Sequence, residues 1–184
     1  MSKNELIERD KLLDQLTKYR HLFDLTKDAL NGEMARFNQI EQKATRMFAA
    51  LTILISFSPV LVNWVVKVAI PPEGCLEYFI IILTVAVIIF TIISWRYLLG
   101  VLKTTSLYHI RIDDKMIQFF DNNSHLDIYY ALARQIKDIY RKNLAITNKK
   151  CILLGHGYKF LIYNLICSVL LLALSILLYW FGSY

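Results

Sequence analysis

The chain has 184 residues, of which 56% are hydrophobic and 20% are charged, and its formal net charge is +6. This composition is too apolar for an ordinary water-soluble domain, and the length allows a single domain with a small addition. The basic residues flank apolar runs instead of covering one water-facing surface, which argues against a nucleic-acid-binding protein and indicates membrane orientation.

The first predicted element is one long helix over residues 5–46. The first 20 residues of the chain are charged throughout, so we predict no cleavable signal peptide and expect the N-terminus to stay in the cytosol. Apolar residues recur along this helix at intervals of seven, as in helices that pack on other helices. This stripe is predicted to pack either on a later segment of the same chain or on a second copy. Its residues are Leu16, Phe23, Leu30 and Phe37.

Three apolar segments follow, each long enough to cross a bilayer core of ~30 Å as a helix of about 20 residues. They cover approximately residues 47–70, 76–99 and 160–181. No glycine or proline lies between Phe37 and Phe57, so the first segment is predicted to continue the N-terminal helix without a break. The link PPEGC between the first two segments predicts a tight turn and therefore a membrane hairpin.

The distribution of basic residues predicts the orientation. Nine Lys and Arg residues lie in 1–46 and eleven in 96–159, whereas the hairpin turn has only Lys67 nearby and the tail GSY has none. Loops rich in Lys and Arg stay on the cytoplasmic side of a membrane. We therefore expect the N-terminal helix and the central segment in the cytosol, and the hairpin turn and the C-terminus outside.

The central segment between the second and third apolar segments is predicted to be helical. A helix is expected to continue from Arg96 to about Phe120, DNNSH at 121–125 is a strong turn signal, and a second helical face runs from Leu126 to about Thr147. The predicted fold is thus an all-α integral membrane protein with three transmembrane helices. Its predicted parts are a cytosolic helix (1–46), a transmembrane hairpin (47–99), a cytosolic helical segment (100–158) and a third transmembrane helix with a short outer tail (159–184).

Polar residues inside the apolar segments are the candidate functional residues, because such side chains tend to face protein or a cavity instead of lipid. Asn63 and Lys67 are predicted either to snorkel at the outer interface or to form a polar stripe. The candidate pore-lining or intramembrane polar residues are Ser56, Asn63, Lys67, Asn164 and Ser168. The candidate hinges are Pro59, Gly155 and Gly157.

The sequence contains no recognisable catalytic or nucleotide-binding motif. The four histidines are scattered, the three cysteines lack metal-type spacing, and there is no P-loop, GxGxxG or GxSxG. Cys151 near His156 is a weak match to an activated nucleophile, and Asp113-Asp114 with Asp121 are expected to be solvated. We predict a protein that is not an enzyme and that uses no cofactor, no metal and no sequence-specific nucleic-acid contact.

The layout resembles the small transmembrane effectors of bacterial antiphage systems, the group described by the PycTM and SLATT membrane domains. The likeness lies in the polar helix that leads into the first apolar segment (residues 39–56), in the hairpin, and in the helix that leads a Lys-rich stretch into the last segment (132–166). This chain departs from the fuller versions because it has no recognisable cyclic-nucleotide-binding domain.

The resemblance implies abortive infection, in which a phage-triggered signal makes the effector assemble or rearrange and permeabilise the bacterial inner membrane. It implies a homo-oligomer in the lipid bilayer, regulated by a nucleotide signal or by a partner protein such as the reverse transcriptase of a retron. Two alternatives remain open. One is a membrane-anchored scaffold that recruits a partner through its cytosolic helices, and the other is a constitutive small channel or transporter subunit.

Overall fold

Four helices account for nearly all of the described chain. The structure is a computed structural model that describes residues 3–72, 74–103 and 105–181, without the side chains of residues 3–6 and of Val68. The helices are α1 (Lys3–Ala69), α2 (Cys75–Leu102), α3 (Asp114–Asn122) and α4 (His125–Phe181), and no strand occurs in the described residues. The all-α prediction is confirmed for these residues, and so is the prediction of one continuous helix through residues 37–57.

The prediction of one unbroken helix from Arg96 to Phe120 is wrong between Leu102 and Asp114. Helix α2 ends at Leu102, and residues 105–113 form a connection without regular secondary structure before α3. The buried side chain of Asn143 holds this connection, since its Oδ1 accepts from the backbone N–H of Tyr108 (2.9 Å) and its Nδ2 donates to the carbonyl of Tyr108 (3.1 Å). A backbone whose polar groups are satisfied by a side chain does not need helical partners.

Side-chain caps fix where the later helices begin. Glu77 accepts a hydrogen bond from the backbone N–H of Gly74 (2.7 Å), and Asp113 accepts one from that of Met116 (3.0 Å). Ser124 accepts from the backbone N–H of Asp127 and donates to its carboxylate, so the DNNSH signal does start a helix at His125. Each cap satisfies a backbone donor that the first helical turn leaves without an intrahelical partner.

The described chain divides into two compact units. Unit 1 comprises residues up to 39 and residues 105–148. In unit 1, α1 and α4 run parallel. Tyr19 contacts Tyr130 (ring centroids 5.5 Å apart), and further along both helices Arg36 donates a hydrogen bond to Asn148 (3.3 Å). Its core contains Leu30, Ile136 and Ile139, with Phe23, Met34, Ile110 and Tyr140 packed against them.

Unit 2 comprises residues 40–104 and residues from 149 onwards, and it contains two separate apolar clusters. Helix α2 runs antiparallel to α4. Ser94 is hydrogen-bonded to Gly157, and the earlier residue Thr91 is hydrogen-bonded to the later residue Asn164. The inner cluster consists of Ile40, Ala44, Leu51, Leu98, Val101 and Leu154. The outer cluster consists of Val65, Ala69, Ile80, Leu83 and Leu171.

Helices α1, α2 and α4 each contain a stretch that is long and apolar enough to cross a membrane. These stretches also expose large apolar side chains on the surface of unit 2, as expected for helices whose solvent is lipid. The exposed residues include Ile53, Phe57, Val60, Ile82, Ile92, Val169 and Ile176. The structure therefore has the three helices that the sequence predicted, and their length and composition indicate a membrane location.

Candidate functional site

The buried faces of α1 and α4 follow one heptad register along most of each helix. The residues alternate three and four apart, which is the spacing of helices that pack along a coiled-coil seam. We call these positions the seam, and none of them is exposed. In α1 the seam is residues 16, 19, 23, 26, 30, 33, 37, 40, 44, 47, 51, 54, 58, 61 and 65. In α4 it is residues 129, 133, 136, 140, 143, 147, 150, 154, 157, 161, 164, 168, 171, 175 and 178.

In unit 1 several seam positions are polar. Glu33 is buried, its Oε2 lies 3.7 Å from Arg36, and its Oε1 has no hydrogen-bond partner among the described residues. On α4, Asn143 is buried, and Thr147 donates to its backbone carbonyl (3.0 Å). A polar residue in a packed seam weakens the packing but restricts register, because other registers would leave it without its partners.

The seam of unit 2 begins with a charged pair. Lys150 is 3% exposed and forms an ion pair with Glu41, which borders the inner apolar cluster. Seven residues further along the seam, Gly157 lets α2 approach α4 closely. A Cβ atom built on Gly157 would lie 3.0 Å from Cδ2 of Leu98, and the Gly157 carbonyl accepts a hydrogen bond from Ser94 (3.1 Å). Small residues and interhelical hydrogen bonds of this kind are what hold helices together in lipid.

Beyond Gly157 the seam of α4 becomes polar inside the apolar segment. Asn164 is 1% exposed, and its Nδ2 donates to Oγ1 of Thr91 on α2 (2.8 Å). Ser168 donates to Oδ1 of Asn164 (3.4 Å), and Thr91 donates in turn to the carbonyl of Val87 (2.8 Å). Ser175, also buried, has no hydrogen-bond partner for its hydroxyl among the described residues. Thr91, Asn164 and Ser168 are called the polar cluster below.

The polar cluster lines a groove of about 390 Å³ within unit 2. The groove lies along the helices between the inner and outer apolar clusters, and among the described residues no ionisable side chain lines it. Its rim includes side chains exposed on the surface of unit 2, such as Phe57, Val60 and Ile88. The lining residues are Leu54, Phe57, Ser58, Val60, Leu61, Val62, Trp64, Thr84, Val87, Ile88, Thr91, Asn164, Ser168, Leu171 and Leu172.

The structure separates the predicted intramembrane polar residues into two groups. Asn164 and Ser168 lie together in the groove, as described above. Ser56, Asn63 and Lys67 are exposed on α1 and do not line it. The hydroxyl of Ser56 donates to the carbonyl of Thr52 in its own helix (2.9 Å). Ser56, Asn63 and Lys67 thus do not join Asn164 and Ser168 in one polar stripe within a single copy.

The candidate hinges lie inside continuous helices. Helix α1 runs through Pro59, and α4 runs through both glycines. Gly155 is exposed with no atom within 4 Å of a Cβ built on it, whereas Gly157 is buried against Leu98 and Tyr97. Gly157 is thus a packing residue, which the sequence alone did not distinguish from its neighbour.

Sequence reasoning missed the partner of Asn164 and the full length of the seam. Thr91 lies in the most apolar segment, where an isolated threonine gives no signal, because threonine commonly bonds its own helix. The seam did have a signal. Its three-four alternation continues past Ile40 in α1 and past Tyr140 in α4 with the same spacing. In the apolar segments, however, the other faces of the helices are apolar as well, which hides the periodicity.

Among the described residues, no group of His, Cys, Asp or Glu side chains could hold a metal ion. On the exposed surface of α1, a hydrogen bond to Asp14 and its negative charge raise the pKa of Lys18 above its ordinary value. Comparisons with known protein families, characterised proteins and solved structures found no match to the chain.

Proposed function

We propose that the chain is a membrane effector of a bacterial antiphage system that permeabilises the inner membrane after a phage-triggered signal. The observation that carries the proposal is the seam, which runs along α1 and α4 from charged, water-compatible sequence into the apolar segments and becomes polar there at Asn164, Ser168 and Ser175. Polar side chains in a membrane interior are costly and tend to serve helix association or a hydrated path.

The proposed orientation places unit 1 in the cytosol. The cytosolic side is favoured by the basic residues, nine Lys and Arg in 1–46 and eleven in 96–159. The hairpin turn and the C-terminus then lie outside. A signal received by unit 1, whether a nucleotide or a partner protein, would change the packing of α1 on α4. Because both helices continue into the apolar segments, a shift along the seam is proposed to separate the spans at the level of the polar cluster.

The groove level is the proposed point of rearrangement. The groove lies along the helices between the two apolar clusters and shares Leu171 with the outer one. At this level a hydrogen bond between two neutral side chains, from Asn164 to Thr91, joins α4 to α2. Interhelical hydrogen bonds in membranes stabilise by only about 0.6–2 kcal/mol each. Several copies that opened at this level would present Asn164 and Ser168 to one another and to water, which would let ions through.

Expression of the full chain in bacteria tests this proposal. We expect collapse of the membrane potential, read with a voltage-sensitive dye, followed by growth arrest. Asn164→Leu should reduce the depolarisation at equal membrane abundance because it removes the central member of the polar cluster. Thr52→Val is the matched control, since Thr52 is exposed, bonds only the carbonyl of Phe48 and lies outside the groove. Unchanged potential and growth at high expression, with and without phage infection, would contradict the proposal.

A membrane-anchored scaffold is the second candidate. Unit 1 exposes apolar side chains that a partner protein would cover, among them Leu12, Leu13, Leu25 and Ile112. A scaffold predicts an intact membrane potential in the same assay, with phage protection retained after the three apolar segments are exchanged for unrelated ones. A constitutive ion-coupled transporter has less support, because no ionisable residue lines the groove.

A further inference from the structure

We propose that the groove of unit 2 binds an uncharged, lipid-soluble molecule that carries a carbonyl acceptor, such as a quinone. The inference depends on the membrane location of unit 2 but not on the antiphage role. It starts from the volume of about 390 Å³, which lies within the ~300–1,000 Å³ typical of small-molecule sites. Such sites combine a mostly apolar lining with a few converging polar groups, and this groove has that combination.

The lining determines the charge of the ligand. All of its side chains are neutral, so a charged ligand would lose its hydration without gaining an ionic partner. The apolar members, including Leu54, Leu61 and Leu171, favour a hydrocarbon or ring surface. A neutral and lipophilic molecule is therefore the class that fits.

Asn164 determines the polar group of the ligand. A carboxamide has two N–H donors, and among the described residues only one donor bond is formed, to Thr91. Ser168 already donates its hydroxyl to Asn164. The second N–H of Asn164 thus has no partner among the described residues, and a carbonyl oxygen in the ligand would accept a hydrogen bond from it.

Access to the groove is from the side. Phe57, Val60 and Ile88 lie both in its lining and on the exposed apolar surface of unit 2. A lipid-dissolved molecule would reach the polar cluster between these residues without crossing water. Free quinones partition into bilayers, which makes a short-chain quinone a suitable probe.

Trp64 lines the groove and provides the readout. In the full chain carrying Trp95→Phe and Trp180→Phe, Trp64 is the only tryptophan. This variant is reconstituted in nanodiscs and titrated with decylubiquinone. The quinone should quench the fluorescence of Trp64, and the quenching should saturate. Asn164→Leu should raise the apparent Kd about fivefold, the factor expected for one hydrogen bond. Val87→Phe, which fills the groove, should abolish saturation. Thr52→Val, outside the groove, should leave the titration unchanged.

Bromodecane, which has an apolar chain but no carbonyl, is the comparison probe. We expect its quenching to be unaffected by Asn164→Leu. Linear, unsaturable quenching by decylubiquinone, or equal apparent Kd values in Asn164→Leu and the parent, would overturn the inference. The growth assay is independent of this titration, so failure of binding and failure of the effector role are distinguishable.

Discussion

Leu30→Glu is expected to destroy the packing of α1 against α4 in unit 1. Leu30 is 8% exposed and packs in the cluster with Ile136 and Ile139. The substitution removes a buried apolar side chain and inserts a carboxylate one turn before Glu33, which is itself buried. The expected loss is at least about 3 kcal/mol, from lost burial and an unpaired buried charge.

Hydrogen exchange of the full chain measures this effect segment by segment. Protection should fall in residues 16–39 and 126–148, and membrane depolarisation should fall with it, because the proposed signal passes through this packing. The matched control is Ala29→Glu, which adds the same charge at the adjacent exposed position. Unchanged protection, oligomer size and activity in Leu30→Glu would show that the seam does not hold unit 1 together.

Gly157→Leu is expected to force α2 and α4 apart in unit 2. Even a Cβ atom there would lie 3.0 Å from Cδ2 and 3.2 Å from Cγ of Leu98, so a full leucine side chain overpacks the contact. Overpacking typically costs about 1–3 kcal/mol, which exceeds the gain of at most about 1 kcal/mol from replacing an interior helical glycine.

Gly155→Leu is the control on the same helix, since its surroundings are open. Thermal unfolding of the two purified proteins in detergent, followed by circular dichroism, gives the comparison. Gly155→Leu should unfold at the parent temperature or slightly above, and Gly157→Leu clearly below it. Equal melting temperatures would rule out the close approach of α2 and α4 at Gly157.

The long helices were predictable because their signals are strong and local. Helices α1, α2 and α4 follow from three apolar segments of more than 20 residues. The continuity of α1 follows from the stretch without glycine or proline from Phe37 to Phe57. The connection at 105–113 was not predictable, because the side chain that holds Tyr108 is Asn143, 35 residues away. A contact at that separation leaves no trace in the local apolar pattern from which a helix was predicted.

The polar site was only partly predictable for a related reason. Asn164 and Ser168 are recognisable from sequence because two polar side chains lie four positions apart, on one helix face, in an apolar run. Their burial, the bond to Thr91 and the exposure of Asn63 depend on how the three helices of unit 2 pack. In a nearly uniform apolar helix every face is a possible packing face, so sequence leaves that choice open.

The central claim is that the three apolar segments cross a bilayer, with the hairpin turn outside and unit 1 in the cytosol. Native cysteines test it, because Cys75 begins α2 beside the turn, Cys151 lies on α4, and both are exposed. Two variants would each keep a single cysteine, Cys75 or Cys151, with Cys167 replaced in both. Intact bacteria that express them, at a level too low to depolarise the cells, would be treated with a membrane-impermeant maleimide. The account predicts modification of Cys75 in intact cells and of Cys151 only after lysis. Modification of Cys151 in intact cells, or recovery of the protein in the soluble fraction, would contradict it.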